Sequence, residues 1–224
     1  MKFWDFLKNG DESELIFDGV IAEDTWYGDE ITPKLFRDEL SEVKGNLTVY
    51  MNSPGGDVFA ASQIYSMLNE HRKKGKVTVK IIGIAASAAS VVAMAGDETI
   101  IAPTAMIMIH DPSTLAIGNK EAMKKTIAVL DEVKESIINA YENKTHLERN
   151  KISKMMSEET WINAKKAVEL GFADRILYTD NKISDIAAMQ YSSAKSAKSF
   201  MNKISVSDGG VPVEQLEKRL NLLK

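Results

Sequence analysis

Over the first 180 residues the apolar positions switch repeatedly between a period of two and a helical period, and this switching constrains the fold more than any single residue does. Residues 14–21 (ELIFDGVI) and 47–52 (LTVYMN) are rich in branched and aromatic side chains, which suit a pleated, half-buried surface. Between them Thr32 and Pro33 read as an N-cap and a first-turn proline, opening a helix to about Val43. Residues 57–74 then place Phe59, Ile64, Met67 and Leu68 at helical spacing and stop at Gly75, after which 77–85 is again strand-like. Residues 86–95 are small and apolar, end at Gly96 and predict a buried helix. Two short strands are expected at 100–101 and 106–109. Strands alternating with helices predict an α/β layered fold.

Asn119 caps a long predicted helix to about residue 143, in which Met123, Ile127, Leu130, Ile137 and Tyr141 form one stripe opposite lysines and glutamates. At 1.5 Å per residue the helix is roughly 36 Å long, more than a small domain's own core covers, so a partner is expected on it. A short helix over 163–170 closed by Gly171 and a strand near 175–178 complete the pattern. Beyond about residue 183 the composition shifts to Ser, Ala and Lys; 208–212 (DGGVP) read as a hinge before a last helix with Leu216, Leu220 and Leu223. The predicted organisation is an N-terminal segment (1–13), a main domain (14–182) and a helical extension (183–224).

Composition narrows the function classes. A net charge of −4 gives no general basic field for a nucleic acid or an anionic membrane. With no cysteine, disulfides, thiolate zinc sites and cysteine nucleophiles are excluded together, which fits a reducing compartment. Lys2, Asp5 and Lys8 interrupt Phe3, Trp4, Phe6 and Leu7, so the start lacks a continuous signal-peptide core. No apolar run reaches membrane-spanning length, and a cytoplasmic protein is expected.

Three segments carry chemistry. Residues 52–56 (NSPGG) take a strand through a proline and two glycines into a helix, where glycines let backbone N–H groups approach a ligand; an ordinary turn between strand and helix has the same appearance. Residues 83–90 (GIAASAAS) turn from strand to helix through small residues, and a serine there can present its hydroxyl beside a helix N-terminus, although such segments also serve close packing. The apolar run 106–109 (MIMI) ends in His110. Of the other two histidines, His71 sits among Arg72, Lys73 and Lys74 on what reads as an exposed helix end, and His146 lies in the polar stretch 143–150. An imidazole base, if used, is His110.

Together and in this order, these segments resemble the ClpP family of serine peptidases, the proteolytic subunits that partner AAA+ unfoldases; the resemblance runs from about Leu15 to Tyr178. It implies a ClpP/crotonase-like α/β fold of repeated strand-helix units with a protruding handle helix. It assigns Ser87 as nucleophile and His110 as base, and the amides of Gly56 and Ala88 as the oxyanion hole. Gly55, Val58 and Phe59 fall at substrate-binding positions. For the third triad member it points to Glu159, where the family usually has aspartate. A glutamate can still orient an imidazolium but is one methylene longer. Asp174 is the reserve, and Asp111 is disfavoured because neighbours along a strand face opposite ways. Glu159, the following Thr160-Trp161 and the tail look more like bacteriophage ClpP-like proteins, some of which act in head maturation.

The expected function is an ATP-independent serine endopeptidase subunit that cleaves unfolded proteins or short peptides through an acyl-enzyme, without cofactor or metal, inside a homo-oligomer of stacked rings. An AAA+ unfoldase or phage head proteins are the partners the resemblance implies. Two competing readings are a crotonase-like acyl-CoA enzyme, which needs no Ser87–His110 pair, and a catalytically degenerate assembly or scaffold subunit, which the Glu159 replacement keeps open.

Overall fold

The computed structural model describes residues 6–9, 12–23 and 32–178. The 183–224 extension, with its hinge and last helix, lies outside the described residues, as do residues 1–5.

The chain begins with an antiparallel pair, β1 (Phe6–Asn9) and β2 (Glu12–Ile21), with Phe6 opposite Leu15 and Asn9 opposite Glu12. The sequence reading left 1–13 without a strand. In the sequence Gly10-Asp11 is a glycine-containing pair of the kind that signals a hairpin. After β2 the order is α1 (Pro33–Ser41), β3 (Asn46–Gly56), α2 (Val58–His71), β4 (Val77–Ala86) and α3 (Ala88–Ala93). There follow β5 (Glu98–Ile101), β6 (Met106–Ile109), α4 (Lys120–Thr145), α5 (Arg149–Ser157), β7 (Thr160–Asn163), α6 (Ala164–Glu169) and β8 (Arg175–Ile176). Local chemistry starts the helices where the sequence predicts. Thr32 Oγ1 accepts from Leu35 N, Asp57 Oδ1 from Ala60 N, and Asn119 Oδ1 from Ala122 N.

The expected α/β layering is present. One eight-stranded sheet runs in the order β1-β2-β3-β4-β5-β8, with β2, β3, β4 and β5 parallel and helices on the crossovers. Its fork positions the site. The first half of β4 pairs with β5 through residues 78–81, and the second half pairs with β6 through residues 84–86. β6 in turn pairs antiparallel with β7, from Met106↔Asn163 to Ile109↔Thr160. Phe17, Val49, Met51 and Ile81 of the sheet are fully buried together with Ile64 and Leu68 of α2, and Phe17 meets Phe36 of α1 edge to face at 6.2 Å.

Two elements, α5 and β7, follow α4 where the sequence analysis names none, with Ile152 and Met156 of α5 as buried anchors. One expectation needs correction. His71 is not on an exposed helix end. It is 2% exposed, with Nε2 2.9 Å from Gly45 O. Gly75 packs so closely on the Gly45 carbonyl that the end of α2 lies against the start of β3, which buries the imidazole.

Candidate active site

Ser87 stands between β4 and α3, and the chain passes through it with φ 54° and ψ −128°. A non-glycine residue in such a conformation stores roughly 1–3 kcal/mol of strain, which its surroundings must hold. They hold it at both ends. Its N–H donates to Met108 O at 2.9 Å, extending the β4–β6 ladder, and its carbonyl accepts from Ser90 N at 2.9 Å and Ser90 Oγ at 2.5 Å. The strand that delivers Ser87 and the strand that ends in His110 are therefore bonded neighbours. Ser87 Oγ lies 2.7 Å from His110 Nε2. In the tautomer with the proton on Nδ1, the hydroxyl donates and Nε2 accepts, which is the geometry for activating an alcohol.

Gly56 and Ala88 line the same cleft as Ser87. On either side of Gly56, Asp57 N–H donates to Ile21 O at 2.9 Å and Gly55 N–H to Ser53 Oγ at 3.2 Å, so neither of these amides is directed into the cleft. Ala88 N–H is a first-turn donor of α3 and has no intrahelical acceptor. Gly55 (φ +95°) keeps the space beside Ser87 and Ala88 open: a Cβ there would come within 2.8 Å of Ser87 Cβ and 2.9 Å of Ala88 N.

Ser87, His110, Gly56, Val58 and Phe59 line one cleft of about 350 Å³. Its far wall was not expected. Leu130, Val133 and Ile137 of α4 close it, along with Pro112 from the loop after His110. Leu130 and Ile137 belong to the stripe expected from the sequence and Val133 does not, and no local pattern marks the cleft they face. The first four turns of α4 bury no side chain among the described residues, and its buried positions begin at Ile137. Ile127 and Val129 are 59% and 56% exposed.

The three candidate carboxylates separate clearly. Continuing the β6–β7 register by one residue places His110 opposite Glu159, which has φ 47° and an exposed side chain. Its Oε1 accepts from Trp161 Nε1 at 3.2 Å, and the described residues show no bond from it to His110. Asp174 Oδ2 accepts from Thr99 N and Lys144 Nζ, both at 2.6 Å, which ties the end of α4 to β5. Asp111 pairs with Lys134 at 2.8 Å and accepts from Ser157 Oγ at 3.0 Å. His146 is the left-handed C-cap of α4. Glu159 alone of the three thus stands across from the imidazole without a structural ion pair.

Known proteins resemble the chain over nearly the whole of the described region. The Clp protease family model matches residues 11–180. Among curated relatives, the ATP-dependent Clp protease proteolytic subunit of Deinococcus radiodurans is 25% identical over 74% of this chain and 81% of its own. Proteolytic subunit 1 of Chlamydia muridarum is 30% identical over 69% of this chain and 81% of its own. The Bacteroides thetaiotaomicron subunit is 27% identical over 73% and 74%.

Proposed function

Since the chain belongs to the Clp protease family and is a serine-type peptidase, we propose that Ser87 is its nucleophile, His110 its general base and Glu159 the carboxylate that orients His110. The observation that carries the assignment is the 2.7 Å contact between Ser87 Oγ and His110 Nε2 on two bonded strands. His110 takes the Ser87 proton as Oγ attacks a peptide carbonyl. The amides of Gly56 and Ala88 receive the oxyanion, each such donor contributing about 2.7–4 kcal/mol in comparable sites. His110 then protonates the leaving amine, and water hydrolyses the acyl-enzyme by the same route. These steps consume no nucleotide, so cleavage itself is ATP-independent.

Glu159 must turn from Trp161 to reach His110, a rotation of an exposed side chain. The present partner of Glu159 is also what favours the second reading, a catalytically degenerate assembly subunit. An acyl-CoA reading is not favoured, because it gives the Ser87–His110 pair no task. Hydrolysis of short fluorogenic peptides beside Ser87→Ala and His110→Ala separates the two readings. The peptidase reading expects turnover that both substitutions abolish; a fully folded wild-type chain with no turnover would favour the degenerate subunit.

The substrates we propose are unfolded chains or short peptides, with an apolar side chain seated against Val58, Leu130 and Val133 of the cleft. The assembly we propose is a homo-oligomer of stacked rings. Its support is the exposed apolar surface of Ile127 and Val129 on α4 with Leu115 and Ile117 on the preceding loop, the last two 88% and 91% exposed. Sedimentation should show a particle many times the 24.8 kDa of one chain, and Ile127→Asp should split or precipitate it. A monomer fully active on peptides would remove the assembly from the account. An AAA+ unfoldase or phage head protein as partner, and the cytoplasm as compartment, belong to the same proposal; the absence of cysteine supports a reducing location.

A further inference from the structure

Beneath the nucleophile lies a buried polar chain that the mechanism above does not use. Ser90 is 0% exposed and Tyr141 1%, and their hydroxyl oxygens are 2.7 Å apart. Ser90 has one hydroxyl hydrogen, and it is directed at Ser87 O, 2.5 Å away. The hydrogen between the two hydroxyls therefore belongs to Tyr141, so the chain runs one way: Tyr141 O–H donates to Ser90 Oγ, and Ser90 O–H donates to Ser87 O. Burial pushes the Tyr141 phenol above its ordinary value, outweighing the opposite pull of the Ser90 bond, so it stays protonated as a donor.

The carbonyl at the end of this chain shares a peptide plane with Ala88 N–H. In a trans peptide the C=O and N–H point in opposite directions. Pulling Ser87 O inward, toward Ser90, thus aims Ala88 N–H outward into the cleft, and the same pull holds Ser87 at φ 54°. Hydrogen bonds in series also polarise one another, which strengthens the outward donor. We propose that Tyr141 and Ser90 are positioning residues of this peptidase: they orient the Ser87–Ala88 peptide so that the nucleophile meets His110 and the amide meets the oxyanion. The root of α4, which supplies Tyr141, is thereby built into the catalytic geometry.

The inference rests on Ser87 being the nucleophile, and its test is a double-mutant cycle of Tyr141→Phe and Ser90→Ala, both of which preserve most of the buried volume. The readouts are kcat and KM on a fluorogenic peptide and the rate of inactivation by a fluorophosphonate, each per folded chain. Removal of one buried hydrogen bond predicts a fall of about tenfold in kcat and in inactivation rate for each single variant. KM stays near wild type, since the substrate's ground state does not use the oxyanion donor. Because Tyr141 acts through Ser90, Tyr141→Phe should have no further effect on either rate in the Ser90→Ala background. Wild-type rates in Ser90→Ala, or effects of the two that multiply independently, would overturn the proposal. If Tyr141→Phe does not fold, Ser90→Ala decides it by the same rates. A wild-type chain that the fluorophosphonate never modifies would instead sink the peptidase reading itself, so the two failures are distinct.

Discussion

Gly55→Ala tests the oxyanion geometry without touching a catalytic side chain. The added Cβ would lie 2.6 Å from Ala86 O, 2.8 Å from Ser87 Cβ and 2.9 Å from Ala88 N, each closer than real Cβ contacts come. The opposing atoms belong to the backbone and first side-chain carbon of the β4–α3 turn, so relief requires the turn itself to move. Alanine at φ +95° adds a backbone cost of about 1–2 kcal/mol. Displacing one oxyanion donor costs about 2.7–4 kcal/mol in the transition state, or 10²–10³ in rate. Peptide turnover should therefore fall by about a hundredfold or more. The backbone cost should lower the melting temperature by roughly 2–4 °C per kcal/mol for a domain of this size. The paired assay is kcat on a fluorogenic peptide beside a thermal melt. A folded Gly55→Ala protein with kcat within about threefold of wild type would refute the placement of Ala88 N–H in the oxyanion hole.

Glu159→Ala should lower kcat by about a hundredfold or more with little change in melting temperature, because its side chain is exposed and its role is to orient His110. Asp174→Ala should do the reverse, reducing stability through the lost bonds to Thr99 and Lys144 while sparing more of the turnover; the opposite ranking in parallel kinetics and melts would move the third triad role to Asp174. Acid stability offers a separate check. The hydrogen bond from Lys76, then that from Arg175, holds the Glu98 carboxyl below its ordinary 4.5. Its stabilisation is thus present above that value and lost as pH falls through the lowered folded one. Glu98→Gln should flatten the melting temperature's decline on that acid limb, and an unchanged acid limb would count against the Lys76–Glu98–Arg175 cluster as its cause.

The sequence made the local parts legible and hid the long-range ones. Capping side chains at Thr32, Asp57 and Asn119 act within three residues, so helix starts could be read directly. The strand-to-helix turn at Ser87 also showed in its small residues. Its backbone conformation did not, because Met108, Ser90 and the missing side chain of Gly55 impose it from three separate segments. The fork of β4 between β5 and β6, which brings His110 to Ser87, depends on pairing partners that no local pattern encodes. Likewise α5 spans only nine residues and buries Ile152 and Met156 among lysines, too weak a periodic signal against the polar background. His71 was misread for the same reason: its carbonyl partner lies 26 residues away in the chain.

The central claim is that Ser87 carries a hydroxyl made nucleophilic by His110. The most direct measurement is mass-spectrometric mapping of a fluorophosphonate adduct on the wild-type chain and on His110→Ala, with fragmentation fine enough to separate Ser87 from Ser90. The account predicts one adduct per chain, located on Ser87 and lost with the imidazole. An adduct on Ser90, or one on Ser87 that forms equally fast without His110, would contradict it.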